Sequence, residues 1–282
     1  PAPTPSMFKK AGAWLGSLSS ALLLLGTAVP LSGACSPPLQ HFTGLPPAPF
    51  TEGQKNVLLI GDSISMGGDP PSNPVTLAGE PGGYGNYVLR ILTDHHIVSV
   101  QHNGGKYDGS KAHAGDQQAG NTEHLLDCLD YWIGKNASHP KGLPWDAIHF
   151  NSGLHDLETN GPAGPFAVPP ANYTRNLQAI WQTLAETGAK VIWRTTTPVL
   201  FAKTPDPCKY CRNESSVVLY NKLALSALQA AAARTPETPL RVNDVWEDMS
   251  SFCGVDYKRC TLQLSGGVHC TREGREYTGL SV

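Results

Sequence analysis

The sequence predicts a three-layer α/β/α sandwich with a mostly parallel five-stranded sheet, built from residues 55–282. Short apolar runs alternate along this part of the chain with longer amphipathic runs, and strands that alternate with helices form parallel sheets covered on both faces. A hydrophobic content of 40% supports a packed interior, while 29 glycines and 24 prolines in 282 residues indicate many loops.

Five strands and four helices account for the alternation. Each strand candidate is a short apolar run, and each helix candidate is a longer run with apolar residues on one face. The predicted strands are 57–60, 97–100, 147–150, 189–194 and 240–245. The predicted helices are 84–92, 121–133, 171–186 and 219–233. Ligands of such sheets bind beyond the carboxyl ends of the strands, so we expect the functional residues in the loops that follow the strands.

Residues 1–54 are expected to lie outside this domain. Lys9 and Lys10 precede an apolar run over 11–31, and small residues follow at 32–34, which is typical of a secretory signal. Cleavage after Ala34 would leave a chain that starts at Cys35 with a Pro-rich linker over 35–54. We therefore expect a secreted protein. An uncleaved membrane anchor and a lipid attached to Cys35 are the alternatives, and only these would bring the protein to a membrane.

Seven cysteines fit the oxidising compartment that secretion implies, because disulfides persist there. We expect local disulfides within the close pairs, and we hypothesise that one further bridge ties down the C-terminal region. The pairs are Cys208 with Cys211, Cys253 with Cys260, and Cys128 with Cys270. A Cys-x-x-Cys pair can also bind zinc, but one pair without a second is a weak metal signal, so no metal is expected.

Charge and short motifs exclude other classes of partner. The chain has 21 Lys and Arg against 23 Asp and Glu, a net charge of −2, which provides no basic surface for nucleic acid. It contains no G-x-x-x-x-G-K-[ST] loop, so nucleotide use is not expected. Asn-x-Ser/Thr sequons at Asn136, Asn172 and Asn213 are compatible with a glycosylated secreted protein.

The loop after the first predicted strand reads Gly-Asp-Ser-Ile-Ser over 61–65. A serine at this position, Ser63, would present its hydroxyl above the edge of the sheet near helix N-terminal amides, as a nucleophile needs. The alternative interpretation is a helix N-cap, since Asp and Ser commonly begin helices. Three later segments favour the nucleophile.

The chain resembles the SGNH, or GDSL-type, hydrolase family over most of its mature length. The four blocks that carry the resemblance are 61–63, 119–122, 151–156 and 266–269, and they occur in the family's order. The resemblance implies that Ser63 is the nucleophile, supported by Asp62 in the first block, and that His269 is the general base. It also implies an oxyanion hole formed by the amides of Ser63 and Gly120, with Gly115 as an alternative to Gly120.

Two positions depart from the family's pattern. His155 stands where the family has an asparagine that donates to the oxyanion, and we interpret it as a functional replacement with Asn151 as the reserve donor. The family's triad aspartate, usually three residues before the histidine and in some branches two, is replaced by Gly266 and Gly267. A backbone carbonyl or another carboxylate must then orient the imidazole. The available carboxylates are Asp244, Asp248, Asp256 and Glu273.

These residues predict a secreted serine esterase that needs no cofactor and hydrolyses acetyl or short acyl esters of small molecules or carbohydrates. An acyltransferase built from the same serine and histidine is one alternative. A noncatalytic binding module is the other, because a triad that loses its acid loses much of its rate.

Overall fold

The structure is a computed structural model that describes residues 39–40, 55–65, 83–94, 99–102, 120–199, 211–254, 260–263 and 268–282. The strands are β1 (Leu39–Gln40), β2 (Asn56–Ile60), β3 (Ser99–His102), β4 (Ala147–Phe150), β5 (Lys190–Arg194) and β6 (Arg241–Asn243). The helices are α1 (Gly85–Asp94), α2 (Thr122–Trp132), α3 (Pro170–Glu186), α4 (Glu214–Ala232), α5 (Val245–Cys253) and α6 (Arg272–Leu280). The predicted signal segment 1–34 and, apart from β1, the predicted linker 35–54 lie outside the described residues.

The strands form one sheet in the order β1-β3-β2-β4-β5-β6. Strands β2 to β6 pair in parallel and confirm the five predicted strands, while the two-residue β1 adds an antiparallel edge. The chain passes from β2 to β3 on one side and returns to β4 on the other. The direction of winding therefore changes between β2 and β4, and sheets of this kind bind their ligands beyond the strand ends at this point.

Helices cover the sheet in two layers. Helix α1 packs against α6, whereas α2, α3 and α4 pack side by side. The central strands are buried on both faces, as shown by the complete burial of Leu58, Leu59 and Ile60 in β2. The predicted three-layer α/β/α sandwich is confirmed. Among the described residues, no helix is both long enough and apolar enough to cross a membrane.

Two differences from the predicted helices have local causes. Helix α4 begins at Glu214 rather than 219, because the Asn213 side chain accepts a hydrogen bond from the Ser216 amide at 2.8 Å and caps the helix earlier. Helices α5 and α6 were not predicted. They are nine residues each and begin at the capping side chains of Asp244 and Thr271. Helix α6 has too few apolar residues for a periodic pattern to stand out, and the apolar residues of α5 at 245, 249 and 253 span only two turns.

The cysteines bear out one expected bridge and contradict another. Cys253 and Cys260 form a disulfide. Cys211 and Cys128 are also disulfide-bonded, with partners outside the described residues, so the pairing of Cys211 with Cys208 stays a prediction. Cys270 is a free, buried thiol, and the hypothesised bridge between Cys128 and Cys270 is wrong. Cys128 lies on α2 in the layer of α3, whereas Cys270 precedes α6, which packs against α1.

Candidate active site

The turn that carries Ser63 follows β2 directly. The Asp62 carboxylate accepts a hydrogen bond from the Ile64 amide at 2.9 Å, and the Asp62 carbonyl accepts one from the Ser65 amide at 3.1 Å. A side chain at Gly61 would place its Cβ 2.3 Å from Ser65 Oγ, so Ser65 would have to move and break the bond that its hydroxyl donates to the Asp62 carbonyl. The turn leaves Ser63 partly exposed at the carboxyl end of the central strand.

His269 reaches Ser63 from the other end of the chain. Its Nε2 lies 2.9 Å from Ser63 Oγ, across a sequence separation of 206 residues. The residues on either side of the histidine are anchored, since Val268 packs against the main core and Cys270 belongs to a second cluster with Val245, Met249 and Leu262. The structure therefore brings together the two residues expected to act as nucleophile and base.

The surroundings of His269 favour its neutral form. Although the residue is exposed, the protein around its ring excludes enough water to lower the pKa of the imidazole from the ordinary value of 6.5. The negative charge of Asp62 opposes this effect, and the positive charges of Arg212 and Arg275 add to it. A neutral Nε2 at this distance can accept the proton of the Ser63 hydroxyl.

His155 lies in the turn that follows β4, and its ring is near the carboxylate of Glu158. Its Nδ1 is 3.7 Å from Glu158 Oε2, and the same oxygen pairs with Arg212 Nη2. Arg212 is fixed in turn, because its Nε donates to the Leu154 carbonyl at 2.6 Å. Glu158 and Arg212 were not predicted, and only the spacing of three residues between His155 and Glu158 hints at the contact.

Asn151, the reserve oxyanion donor, is already engaged. Its side-chain Nδ2 donates to the Arg194 carbonyl at 2.9 Å, and the residue is buried. This bond joins the end of β4 to the end of β5. One of the two amide hydrogens is therefore used within the sheet, and the role of Asn151 as an oxyanion donor stays a prediction.

The second and third blocks are held together by Asp156. Its carboxylate accepts hydrogen bonds from the Thr122 amide at 2.8 Å, from the Thr122 hydroxyl at 2.5 Å and from the Ser152 hydroxyl at 2.9 Å. Burial raises the pKa of Asp156 to about 7, and these hydrogen bonds oppose the rise. Gly120 lies just before the N-cap of α2 with a φ of +53°, a conformation that favours glycine. The alternative Gly115 lies outside the described residues.

The carboxylates considered as substitutes for the triad acid have other roles. Asp244 caps α5 and accepts a hydrogen bond from Thr195, Asp248 lies within α5, and Glu273 lies in the first turn of α6. Asp256 lies outside the described residues. Within the part of the chain that the structure describes, no carboxylate forms a hydrogen bond or ion pair with His269.

A buried cation was also not predicted. Arg194 at the end of β5 is 1% exposed, its guanidinium lies 3.7 Å from the centre of the Tyr84 ring, and its Nη1 donates to the Thr278 carbonyl at 3.2 Å. Burial lowers the pKa of Arg194, while Tyr84, Cys270 and Asp62 act in the opposite direction. Asp62, in the Ser63 turn, is thus close enough for its charge to act on this cation.

No protein-family description matches the chain, and no curated protein sequence matches it. Solved structures do match. The crystal structure of the acetyl xylan esterase AlAXEase matches with a TM-score of 0.52 and 13% identity, over 80% of this chain and 96% of that one. A GDSL-like lipase from Bacteroides thetaiotaomicron matches with a TM-score of 0.47 and 14% identity, over 83% of this chain and 88% of that one. Axe2, an acetylxylan esterase from Geobacillus stearothermophilus, matches with a TM-score of 0.47 and 14% identity, over 81% and 92%.

At such low identity the likeness to AlAXEase concerns the fold. It agrees with the parallel, helix-covered sheet that the chain forms. The chain shares the α/β fold of AlAXEase, and its sequence blocks resemble those of the SGNH, or GDSL-type, hydrolases.

Proposed function

We propose that the chain is a secreted serine esterase that hydrolyses acetyl and other short acyl esters without a cofactor. The observation that carries this proposal is the 2.9 Å contact between Ser63 Oγ and His269 Nε2 at the carboxyl end of the central strand. A serine becomes a nucleophile when a neutral base accepts its proton at hydrogen-bond distance. The likeness to an acetyl xylan esterase is the reason to place acetylated carbohydrates first among the substrates.

The reaction follows from the placement of these groups. His269 Nε2 accepts the hydroxyl proton while Ser63 Oγ attacks the ester carbonyl, and the negative charge that forms on the carbonyl oxygen needs hydrogen-bond donors. The amides of Ser63 and Gly120 and the His155 ring fill this role, and one such donor contributes about 3 kcal/mol. His269 then gives its proton to the leaving alcohol. Water attacks the acyl-enzyme with His269 again as the base, which releases the acid and restores Ser63.

Secretion is supported by the state of the cysteines. Cys253 and Cys260 form a disulfide, and Cys128 and Cys211 are disulfide-bonded as well. Disulfides persist in oxidising compartments and are rare in the cytosol. This agrees with the signal-like pattern of residues 1–34.

Labelling with a fluorophosphonate tests the mechanism. We expect one adduct, located by mass spectrometry on the peptide that contains Ser63, together with hydrolysis of p-nitrophenyl acetate and release of acetate from acetylated xylan. Ser63→Ala should abolish both labelling and hydrolysis, whereas Ser226→Ala, at an exposed serine of α4 outside the site, should change neither. Labelling at another residue, or none in a folded protein, would contradict the proposal and favour a noncatalytic module.

An acyltransferase would also be labelled by fluorophosphonate at Ser63, but its main product would not be the free acid. Added xylo-oligosaccharides would then receive the acyl group in preference to water. Free acetate as the main product in their presence supports hydrolysis, and acylated oligosaccharide as the main product contradicts it.

A further inference from the structure

The segment that carries His269 is joined to the segment 261–263 by backbone pairing. Gln263 and Cys270 form an antiparallel bridge, and the Thr271 amide donates to the Leu262 carbonyl at 3.0 Å. The Thr271 hydroxyl also donates to the Thr261 carbonyl at 2.6 Å. The two arms are therefore fixed relative to each other immediately after His269.

One buried side chain links these arms to the sheet. Gln263 is 3% exposed, and its Nε2 donates to the Pro198 carbonyl at 2.6 Å and, in a longer contact of 3.5 Å, to the Val268 carbonyl. Pro198 lies four residues after the end of β5, and Val268 directly precedes His269. An amide nitrogen carries two hydrogens, so one side chain can serve both carbonyls.

The Val268 carbonyl belongs to the peptide unit that contains the His269 nitrogen. Because that unit is planar, a group that holds the carbonyl oxygen also restricts the plane from which the His269 side chain projects. Gln263 thereby fixes the orientation of the His269 backbone relative to Pro198, which follows β5. Strand β5 lies next to β4, the strand that precedes the third block.

We propose that Gln263 is the positioning residue for His269. It performs, from the backbone side of the histidine, the orienting task that a triad carboxylate performs from the ring side. This inference rests on the proposed esterase function. Gln263 is neutral and provides orientation without stabilising a positive imidazole, and it does not touch the substrate.

The segment has other anchors that keep it folded without Gln263. Val268 packs on the main core, Cys270 packs in the second cluster, and Thr271 holds the backbone of the opposite arm. Removal of the amide should therefore displace the histidine more than it unfolds the protein. A displacement of about 1 Å at a catalytic group costs on the order of 100-fold in rate.

The test uses Gln263→Met, which keeps the length of the side chain and removes both N–H groups. We expect kcat for p-nitrophenyl acetate to fall by about 100-fold while KM changes little, because the base acts on the transition state. Gln263→Asn is the second variant and keeps an amide on a shorter side chain. It cannot reach both carbonyls and should lose about tenfold in kcat, so a Met variant that failed to fold would leave the proposal testable.

The matched control is Thr235→Val. It removes a buried hydrogen bond, the one that Trp181 Nε1 donates to Thr235 Oγ1 at 2.9 Å, in the connection from α4 to the start of β6, whereas the candidate site lies where strands end. We expect Thr235→Val to lose about as much thermal stability as Gln263→Met and to keep kcat within about twofold of the wild type, because this hydrogen bond does not orient His269.

A double-mutant cycle decides between positioning and general support. If Gln263 acts through His269, Gln263→Met should not lower the residual kcat of His269→Ala any further. An equal fold-loss in both backgrounds, or an equal loss of kcat in Thr235→Val, would overturn the role of Gln263 while the esterase function stood. A wild-type protein that hydrolyses no ester would overturn the proposed function and this inference with it.

Discussion

Replacement of Asp156 by asparagine tests the link between the two parts of the proposed oxyanion hole. The Asp156 carboxylate accepts two hydrogen bonds from Thr122 and one from Ser152, and it is completely buried. Asparagine keeps the size of the side chain, removes its charge, and replaces one accepting oxygen by a group that only donates. The amide oxygen can keep both bonds from Thr122, whereas the bond that the Ser152 hydroxyl donates is lost and can be replaced only by one in the opposite direction.

The sign of the pH dependence follows from the raised pKa. Burial raises the pKa of Asp156 from 3.8 to about 7, so the folded protein holds this proton more tightly than the unfolded chain does. The resulting stability is fully present below 3.8 and is lost as the pH rises towards 7. At about 1.4 kcal/mol for each pH unit, the loss amounts to at most about 4 kcal/mol.

Urea unfolding of wild type and Asp156→Asn measures this difference. Every other group titrates in both proteins and cancels, so the free energy of unfolding of the wild type minus that of the variant should fall between about pH 4 and pH 8. In the same variant we expect kcat to fall by about tenfold, because the changed bond to Ser152 shifts the third block, and with it His155, relative to the start of α2.

A difference in unfolding free energy that did not change with pH would refute this reasoning. It would mean that the three hydrogen bonds outweigh burial and keep the Asp156 carboxylate ionised throughout. A difference that rose with pH would mean that the bonds lower the pKa of Asp156 below 3.8.

Substitutions at three further residues have defined outcomes. His269→Ala should lower kcat by several orders of magnitude with little change in KM. Because the pKa of His269 is lowered, kcat/KM of the wild type should stay high as the pH falls below 6.5. A decrease in kcat/KM that begins above pH 6.5 would contradict this. His155→Asn should keep kcat within about tenfold, whereas His155→Ala should lose about 3 kcal/mol of transition-state stabilisation, and equal rates in steady-state assays would favour Asn151 as the donor. Burial lowers the pKa of His149 to about 3, so the free energy of unfolding of the wild type minus that of His149→Gln should fall as the pH falls from 6.5 towards 3, and a constant difference would contradict this.

Local signals in the sequence were enough to predict most of the fold. The apolar runs at 57–60 and 147–150 predicted β2 and β4. The sequence blocks that follow these strands placed Ser63 and His155 in the turns after them. Strand periodicity and the rule that functional loops follow the strands depend on neighbouring residues, so they can be derived from a single sequence. The start of α4 was displaced because a cap at Asn213 outweighs the apolar pattern that follows it.

Contacts between distant segments could not be predicted in this way. Glu158 and Arg212 are 54 residues apart, and Gln263 reaches Pro198 across 65 residues. A buried glutamine that holds a backbone carbonyl has the same local sequence pattern as any other glutamine. The wrong hypothesis for Cys128 and Cys270 has the same origin, since pairing by elimination among the cysteines took no account of the sheet between the two helical layers.

A triad carboxylate performs two separable tasks, and this site divides them. Orientation of His269 can come from the backbone through Gln263, but the positive charge that the imidazole acquires on taking the Ser63 proton needs a negative group. Asp62 is the negative charge that acts on His269, and its Oδ2 accepts no hydrogen bond from the described residues. Arg212 and Arg275 oppose it, so the imidazolium is less favourable than in a complete triad. A base of lowered pKa accepts the serine proton with a smaller driving force, which suits esters with their good leaving groups better than amides.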